Sequence, residues 1–266
     1  MDFRKLSGAL RRVLRQSEPP ADPVAAMAPA GMRIYAIGDI HGRADLLRRM
    51  FSAIVADASG MAQGVRAVVV LLGDLIDRGM QSREVIELAL TPPLPPDYAY
   101  TVLMGNHERM FLDFIDSGKG AEAWLTMGGA ATLSSYGCAP PVGLPSRGDL
   151  GRLRDDLLQR QPERHRIFLR QLPCAISYAD YFFAHAGIHP GRPLAQQRDS
   201  DLIWIRKPFL ESRGPFEKVV VHGHNISTEP ELLPHRIGVD TGAYATGVLS
   251  AIILEAAERR ILQVGA

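Results

Sequence analysis

The chain has 266 residues, with 30 Lys and Arg against 29 Asp and Glu, a formal charge of +1, and 46% hydrophobic residues. This balance gives no overall attraction to nucleic acid, and no apolar run approaches the roughly 18 residues that a membrane span needs. The two cysteines, Cys138 and Cys174, stand far apart in neither a metal-type nor a redox-type pair, so a disulfide framework is not expected and a cytoplasmic setting is.

Residues 2–15, "DFRKLSGALRRVLR", place Phe3, Leu6, Leu10, Val13 and Leu14 at near-helical spacing between basic residues. The pattern predicts a basic amphipathic helix that docks on the body, a partner or a membrane surface. A Pro/Ala stretch over 17–31 reads as a linker, so 1–31 is set apart from a main domain over 32–266. In that domain "RIYAIG" runs into Asp39-Ile40-His41-Gly42, and a helical stripe of Leu46, Leu47, Met50 and Ile54 follows. "AVVVLLG" runs into Asp74, with "LIDRG" before a helix starting near Ser82. "YTVLMG" runs into Asn106-His107-Glu108, before a helix carrying Met110, Phe111, Phe114 and Ile115. Three strands thus end in polar loops followed by helices, and in α/β folds such carboxyl ends gather ligands.

Residues 117–172 read as an insertion, a cap or specificity subdomain, with "WLTMGGAATLSSYG", a Pro/Gly-rich loop and an Arg-rich helical stretch. Next, "CAISYA" and "DYFFAHAG" look like a hairpin delivering His185, and "EKVVVHGH" delivers His222 and His224. "HRIGVDTG", "ATGVLSAIILE" and "RRILQV" supply further strands, expected as an antiparallel part facing the first.

Carboxylate, imidazole and amide ligands without cysteine suit borderline or hard divalent metals with open positions for water. Two such metals, bridged by a carboxylate and a hydroxide, can drive in-line attack on phosphorus, which implies phosphate-ester hydrolysis. An alkoxide leaving group then needs a proton. His107 can supply it, oriented by Asp77, while Arg78 and Arg206 suit the charge on the phosphoryl oxygens.

"GDIHG" (38–42), "GDLIDRG" (73–79), "GNHE" (105–108), "HAG" (185–187), "WIR" (204–206) and "HGH" (222–224) occur in that order. Together they resemble the motif set of the phosphoprotein phosphatase family of calcineurin-like metallophosphoesterases, in its bacterial and phage branch, over about residues 33–254. The resemblance implies an α/β sandwich of two mixed β-sheets flanked by helices. It implies that Asp39, His41 and Asp74 hold one metal, Asp74 bridging, and that Asn106, His185 and His224 complete a second. His224 is preferred to His222 because the family's last ligand sits in a Gly-His pair. His107 becomes the general acid with Asp77 orienting it, and Arg78, Arg206 and Asn106 face the phosphate. Two divalent ions are implied, manganese first and iron or zinc in relatives. The substrate expected is a phosphoprotein or phosphopeptide on serine or threonine, or on tyrosine, with diadenosine tetraphosphate as the rival. Met104 departs from the pattern, since many relatives carry an arginine there. Arg147, Arg152, Arg154, Arg160, Arg164, Arg166 and Arg170 of the insertion are its candidate replacements.

Plainer readings stand beside these. Asp39 and Asp74 could cap helices, and His185 could be a core histidine, a role expected more strongly of His222. His165 reads as a solvated helix residue, Trp204 as a packing anchor, Trp124 and Tyr136 as cap core or cleft lining, and Asp240-Thr241-Gly242 as a turn. Glu108 reads as a helix cap or a support for His107.

Overall fold

The computed structural model describes residues 26–141, 143 and 145–266. The basic helix expected over 2–15 therefore lies outside the described residues. The end of the Pro/Ala stretch does not: Ala28 is buried, and its N–H donates to the Ala256 carbonyl at 2.8 Å.

Three parallel strands open the domain: β1 (Met32–Ile37), β2 (Arg66–Leu71) and β3 (Ala99–Val102). The helices between and after them are α1 (Ala44–Ala58), α2 (Ser82–Leu90) and α3 (Asn106–Ser117). Each helix turns an apolar stripe to the sheet; in α1 it is Leu46, Leu47, Met50, Phe51 and Ile54, all buried. β2 reads "RAVVVL" without polar alternation because both of its faces are covered.

The segment 117–172 is helical. α4 (Ala121–Trp124) and α5 (Ala130–Ser135) flank a wide turn over 125–129 that leaves helical geometry at Gly128. The expected Arg-rich helix is two, α6 (Arg147–Arg160) and α7 (Glu163–Arg170), split where Pro162 cannot donate a helical hydrogen bond. His165 is not solvated: it is buried, with Nδ1 2.8 Å from the Tyr136 hydroxyl and Nε2 2.8 Å from the Glu87 carboxylate. Tyr136 is accordingly core.

The second sheet holds β4 (Ala175–Tyr178), β5 (Tyr181–Ala184), β6 (Val219–His222), β7 (Glu231–Leu232) and β8 (Arg236–Gly238), in the order β4-β5-β6-β8-β7. β4 and β5 form the expected hairpin, but β5, β6 and β8 run parallel, so this sheet is mixed rather than antiparallel. The last two strands, β9 (Val248–Glu255) and β10 (Glu258–Gly265), are not part of it. β9 returns to the first sheet, pairing antiparallel with β1, and makes the order β10-β9-β1-β2-β3. Two continuous apolar faces on "VLSAIILE" explain the move, since only a central strand buries both.

The two sheets form a sandwich, and alternation assigns side chains to its layers. Ile34, Val68, Val70, Ile252 and Leu254 pack with Tyr181, Phe183, Val219 and Val221 between the sheets. Their neighbours Tyr35, Val69, Ile253, Phe182 and Val220 belong to the cluster that includes the helices. The strand placement makes a stability prediction. Ile252→Ala should cost about 2–5 kcal/mol in chemical denaturation, as a methyl-rich side chain lost from a closed core does. Ile261→Ala on β10, where the side chain is exposed, should cost no more than about 0.5 kcal/mol. Equal costs would count against β9 as an interior strand.

Candidate active site

The parallel strands of both sheets end at the same place. Asp39 and His41 follow β1, Asp74 follows β2, Asn106 and His107 begin α3 after β3, His185 follows β5, His224 follows β6, and Asp240 follows β8. Asp39, His41, Asp74, Asn106, His107, His224 and Asp240 line one cavity of about 250 Å³ with Arg78, Arg206 and Ile226.

The loops that carry these side chains are tied to each other through the backbone. Ile40 and His41 donate to the Asp74 carbonyl at 3.1 and 2.9 Å, Gly79 donates to that of His41 at 3.1 Å, and Gly223 to that of His185 at 2.9 Å. His41, Asp74, Asp77, Arg78 and His224 all hold φ between 45° and 72°. Left-handed backbone is costly for side-chain-bearing residues, and persists where surrounding contacts impose it. Gly105 meets a related constraint: a Cβ there would strike the Asp74 carboxylate.

Glu108 does not support His107 directly. Its buried carboxylate accepts from the N–H groups of Asp74 (2.9 Å), Leu75 (2.8 Å), Ile76 (3.3 Å) and Gly105 (3.0 Å). Burial and the nearby Asp74 raise its pKa to about 7.

Backbone carbonyls set the tautomers of two histidines. His41 Nδ1 lies 2.8 Å from the Ile76 carbonyl and His185 Nδ1 3.0 Å from that of Leu72, so each donates there and turns the lone pair of Nε2 inward. His185 Nε2 then stands 2.9 Å from Asn106 Oδ1, 3.1 Å from His224 Nδ1 and 3.4 Å from Asp74 Oδ2. His41 Nε2 stands 3.5 Å from Asp74 Oδ2. Lone pairs that face each other without a shared proton are what a cation satisfies. Ligand atoms of His41, Asp74 and His107, and of Asp74, His185 and His224, form two groups each spanning at most 4.8 Å, with Asp74 common to both.

Charge supports the same fit. Every buried acidic side chain among the described residues, Asp39, Asp74, Asp77, Glu108 and Asp240, lies here, while the one buried arginine, Arg236, pairs with Glu231 elsewhere. Burial, then repulsion from Asp240 and Asp74, raises the Asp39 carboxyl well above its usual range. Burial would raise Asp74 too, but the imidazoles around it, His185 first and then His107, hold it well below. Burial drops His41 to about 3 and, helped by His185, His224 to about 2, keeping both imidazoles in the neutral, metal-binding form. Divalent cations fit this donor set.

His107 is held differently. Its Nδ1 lies 2.7 Å from Asp77 Oδ2, and Nε2 points to the cavity, 3.8 Å from Asp74 Oδ2 and 3.4 Å from the Arg78 guanidinium. Burial opposes the imidazolium, but Asp74 and Asp77 outweigh it and raise the pKa of His107. Of the ten residues singled out from the sequence, the cavity takes Asp39, His41, Asp74, Arg78, Asn106, His107, Arg206 and His224. His185 and Asp77 stand directly behind. His222 faces away, with Nδ1 against the Gly223 carbonyl and its ring edge-on to Phe209.

Other expectations are corrected. None of the seven insertion arginines lines the cavity. Arg152, Arg160, Arg164 and Arg170 pair with Asp149, Asp156, Glu87 and Asp116, and Arg154 donates to the Ile115 carbonyl. Met104 is simply core. Trp204 is 40% exposed and edges onto His224 with ring centroids 6.4 Å apart, so it flanks the site rather than anchoring packing. Asp240 is no mere turn residue, and Tyr244 lies edge-on to His41 with the Arg78 guanidinium 4.7 Å above its ring. The signal for Asp240 was present, because "RIGVD" repeats the strand-then-Asp pattern of "RIYAIGD" and "VVVLLGD".

A profile of calcineurin-like phosphoesterases matches residues 32–247. No curated protein sequence matches the chain. Among solved structures, the chain is similar to a candidate diadenosine tetraphosphatase (22% identity, TM-score 0.58, covering 92% of this chain and 95% of that one). It is also similar to a cold-active protein tyrosine phosphatase (18%, 0.52, 86% and 78%). A third is a protein serine/threonine phosphatase from Saccharomyces cerevisiae with similarity to human phosphatase PP5 (15%, 0.51, 90% and 81%). At these identities the likeness speaks for the fold.

Because Asp74 is common to both ligand groups, Asp74→Asn should weaken Mn²⁺ binding in equilibrium dialysis by at least about tenfold. A variant that still takes up two ions with unchanged affinity would remove Asp74 from the ligand set.

Proposed function

Because the chain belongs to the calcineurin-like phosphoesterase family, a family of metal-dependent phosphoester hydrolases, we propose that it is a protein phosphatase acting on phosphoserine and phosphothreonine first and phosphotyrosine second. The observation that carries this reading is the buried His107–Asp77 pair, 2.7 Å apart, whose free nitrogen opens on a cavity shared with two arginines.

Asp39, His41 and Asp74 would hold one divalent ion and Asp74, Asn106, His185 and His224 the other. When bound, such ions, manganese by this reading with iron or zinc as alternatives, polarise phosphoryl oxygens and acidify water. The protein's own groups do the rest. Arg78, steadied over the Tyr244 ring, and Arg206, which donates to Asn225 Oδ1 at 2.9 Å, present guanidinium groups to the charge on the phosphoryl oxygens. A seryl or threonyl oxygen leaves as an alkoxide, whose basicity far exceeds that of water at neutral pH. His107 Nε2 donates the proton it needs, and Asp77 accepts from Nδ1 and fixes the ring's aim.

A dinucleoside polyphosphate hydrolase is the second reading, favoured by the similarity to the candidate diadenosine tetraphosphatase. Its leaving group is a nucleotide phosphate, a weak base that leaves without protonation, so the His107–Asp77 pair is better matched to a protein alkoxide. "GNHE" and "GDLIDRG" also favour the phosphatase. The Mn²⁺-loaded protein should be assayed in parallel against phosphopeptides, 4-nitrophenyl phosphate and diadenosine tetraphosphate. Dominant cleavage of the dinucleotide would replace the first reading with the second. On a phosphoserine peptide, His107→Asn should lower kcat about 10²- to 10⁴-fold at unchanged metal content, and full turnover would end its role as acid.

A further inference from the structure

No described residue of the 117–172 segment lines the cavity, yet the segment reaches Asp77, behind His107. Trp124, at the end of α4, donates from Nε1 to both oxygens of the Asp77 carboxylate, 2.9 Å from Oδ2 and 3.1 Å from Oδ1. Thr132, in α5, donates from its hydroxyl to Asp77 Oδ1 at 2.6 Å and accepts from the Asp77 N–H at 2.9 Å. All four side chains, Trp124, Thr132, Asp77 and His107, are essentially inaccessible to solvent. The turn between α4 and α5 completes the grip, because the Gly128 carbonyl accepts from the Arg78 N–H at 3.2 Å. Gly128 itself has φ 114°, and a Cβ there would press on Arg78.

These contacts converge on a strained spot. Asp77 and Arg78 are consecutive left-handed residues, at φ 72° and 67°, which an isolated loop of L-amino acids does not keep. A buried carboxylate also needs each lone pair occupied if its direction is to be fixed. With Nδ1–H of His107 on one side and Trp124 and Thr132 on the other, Asp77 has one orientation available. Core packing alone does not require this. The Trp124 ring is already stacked on Phe114, with centroids 5.0 Å apart, and that stack by itself does not direct the N–H at Asp77.

We propose that Trp124 and Thr132 are positioning residues for proton donation: acting through Asp77, they hold His107 in the line from which it protonates the leaving oxygen. The 117–172 segment is on this account part of the acid's mounting. The inference rests on the reading of His107 as general acid.

The test uses leaving groups of different basicity, because proton donation matters for an alkoxide and hardly at all for 4-nitrophenolate, which leaves as a stable anion. Trp124→Phe keeps an aromatic ring against Phe114 but removes the N–H together with part of the indole, whereas Thr132→Val keeps the shape and removes only the hydroxyl, which makes it the cleaner of the two. On the full-length Mn²⁺-loaded protein, either change should lower kcat for a phosphoserine peptide at least about tenfold, with KM little changed. Turnover of 4-nitrophenyl phosphate should fall less than about twofold. In a His107→Asn background neither change should have any further effect on the peptide. Equal losses on both substrates, an added loss in the His107→Asn background, or no loss at all would each overturn the proposal. If Trp124→Phe fails to fold, Thr132→Val carries the same comparison. A His107→Asn variant with no leaving-group bias would instead defeat the acid reading. A biased His107→Asn beside an unbiased Trp124→Phe would defeat only the positioning claim.

Discussion

The site depends on one buried carboxylate that does not itself line the cavity. Glu108 collects four backbone N–H groups, three of them from consecutive residues of the loop that carries Asp74. Leaving such donors unpaired in the interior would cost about 1–3 kcal/mol each, and an isolated buried carboxylate more. Together they satisfy one another. They also curl the loop into the left-handed turn that brings Asp74 between the two sheets' strand ends, with His41 on one side and His185 on the other. Because Glu108 sits on the first turn of α3, the same bond set fixes Asn106 and His107 against Asp74, whose Oδ1 accepts from the His107 N–H at 3.1 Å.

Much of this was legible in the sequence, for a reason that is local. A strand that runs into Asp, His or Asn beside glycine declares both its direction and its chemistry, so "GDIHG", "GDLIDRG" and "GNHE" located the first sheet's contribution by inspection. His224 was placed ahead of His222 by resemblance to the family's Gly-His pair, and the structure supplies the physical reason: His222 remains in β6, while the residue after Gly223 has left it. What was not legible is long-range. β9 reads as one more late strand, and only its two-sided burial assigns it beside β1, more than two hundred residues earlier. Asp240 escaped because the second sheet was expected to be antiparallel, which would not have brought a third strand end to the site.

The middle of the chain shows the complementary failure. Its seven arginines drew attention as substitutes for the arginine absent at Met104, because charge is conspicuous in a sequence. In the structure the arginines seen to bond answer acids or carbonyls of their own or neighbouring helices, while the residues that reach Asp77 are an indole and a hydroxyl. Neither type announces a role by composition. Trp124 is counted as core by its burial and stacking, and only the direction of Nε1 separates it from any other buried tryptophan.

The concentration of buried acids also bears on how the fold and the chemistry share stability. Asp39, Asp74 and Asp240 lie close enough to push on one another, and the surrounding histidines cannot neutralise them all while His41 and His224 remain neutral. A core built this way is a poor stabiliser by itself, since like charges withdrawn from water oppose folding. The sandwich tolerates the cluster because it lies where six parallel strands end, at the margin of the apolar layer rather than within it. The large buried faces of β1, β2 and β9 supply the stability, and the strand ends are left free to be chosen for cation binding and phosphate chemistry. The same division explains why Asp77, which needs a fixed direction more than a partner charge, is mounted on neutral donors. Trp124 and Thr132 can orient it without cancelling the negative charge that His107 requires.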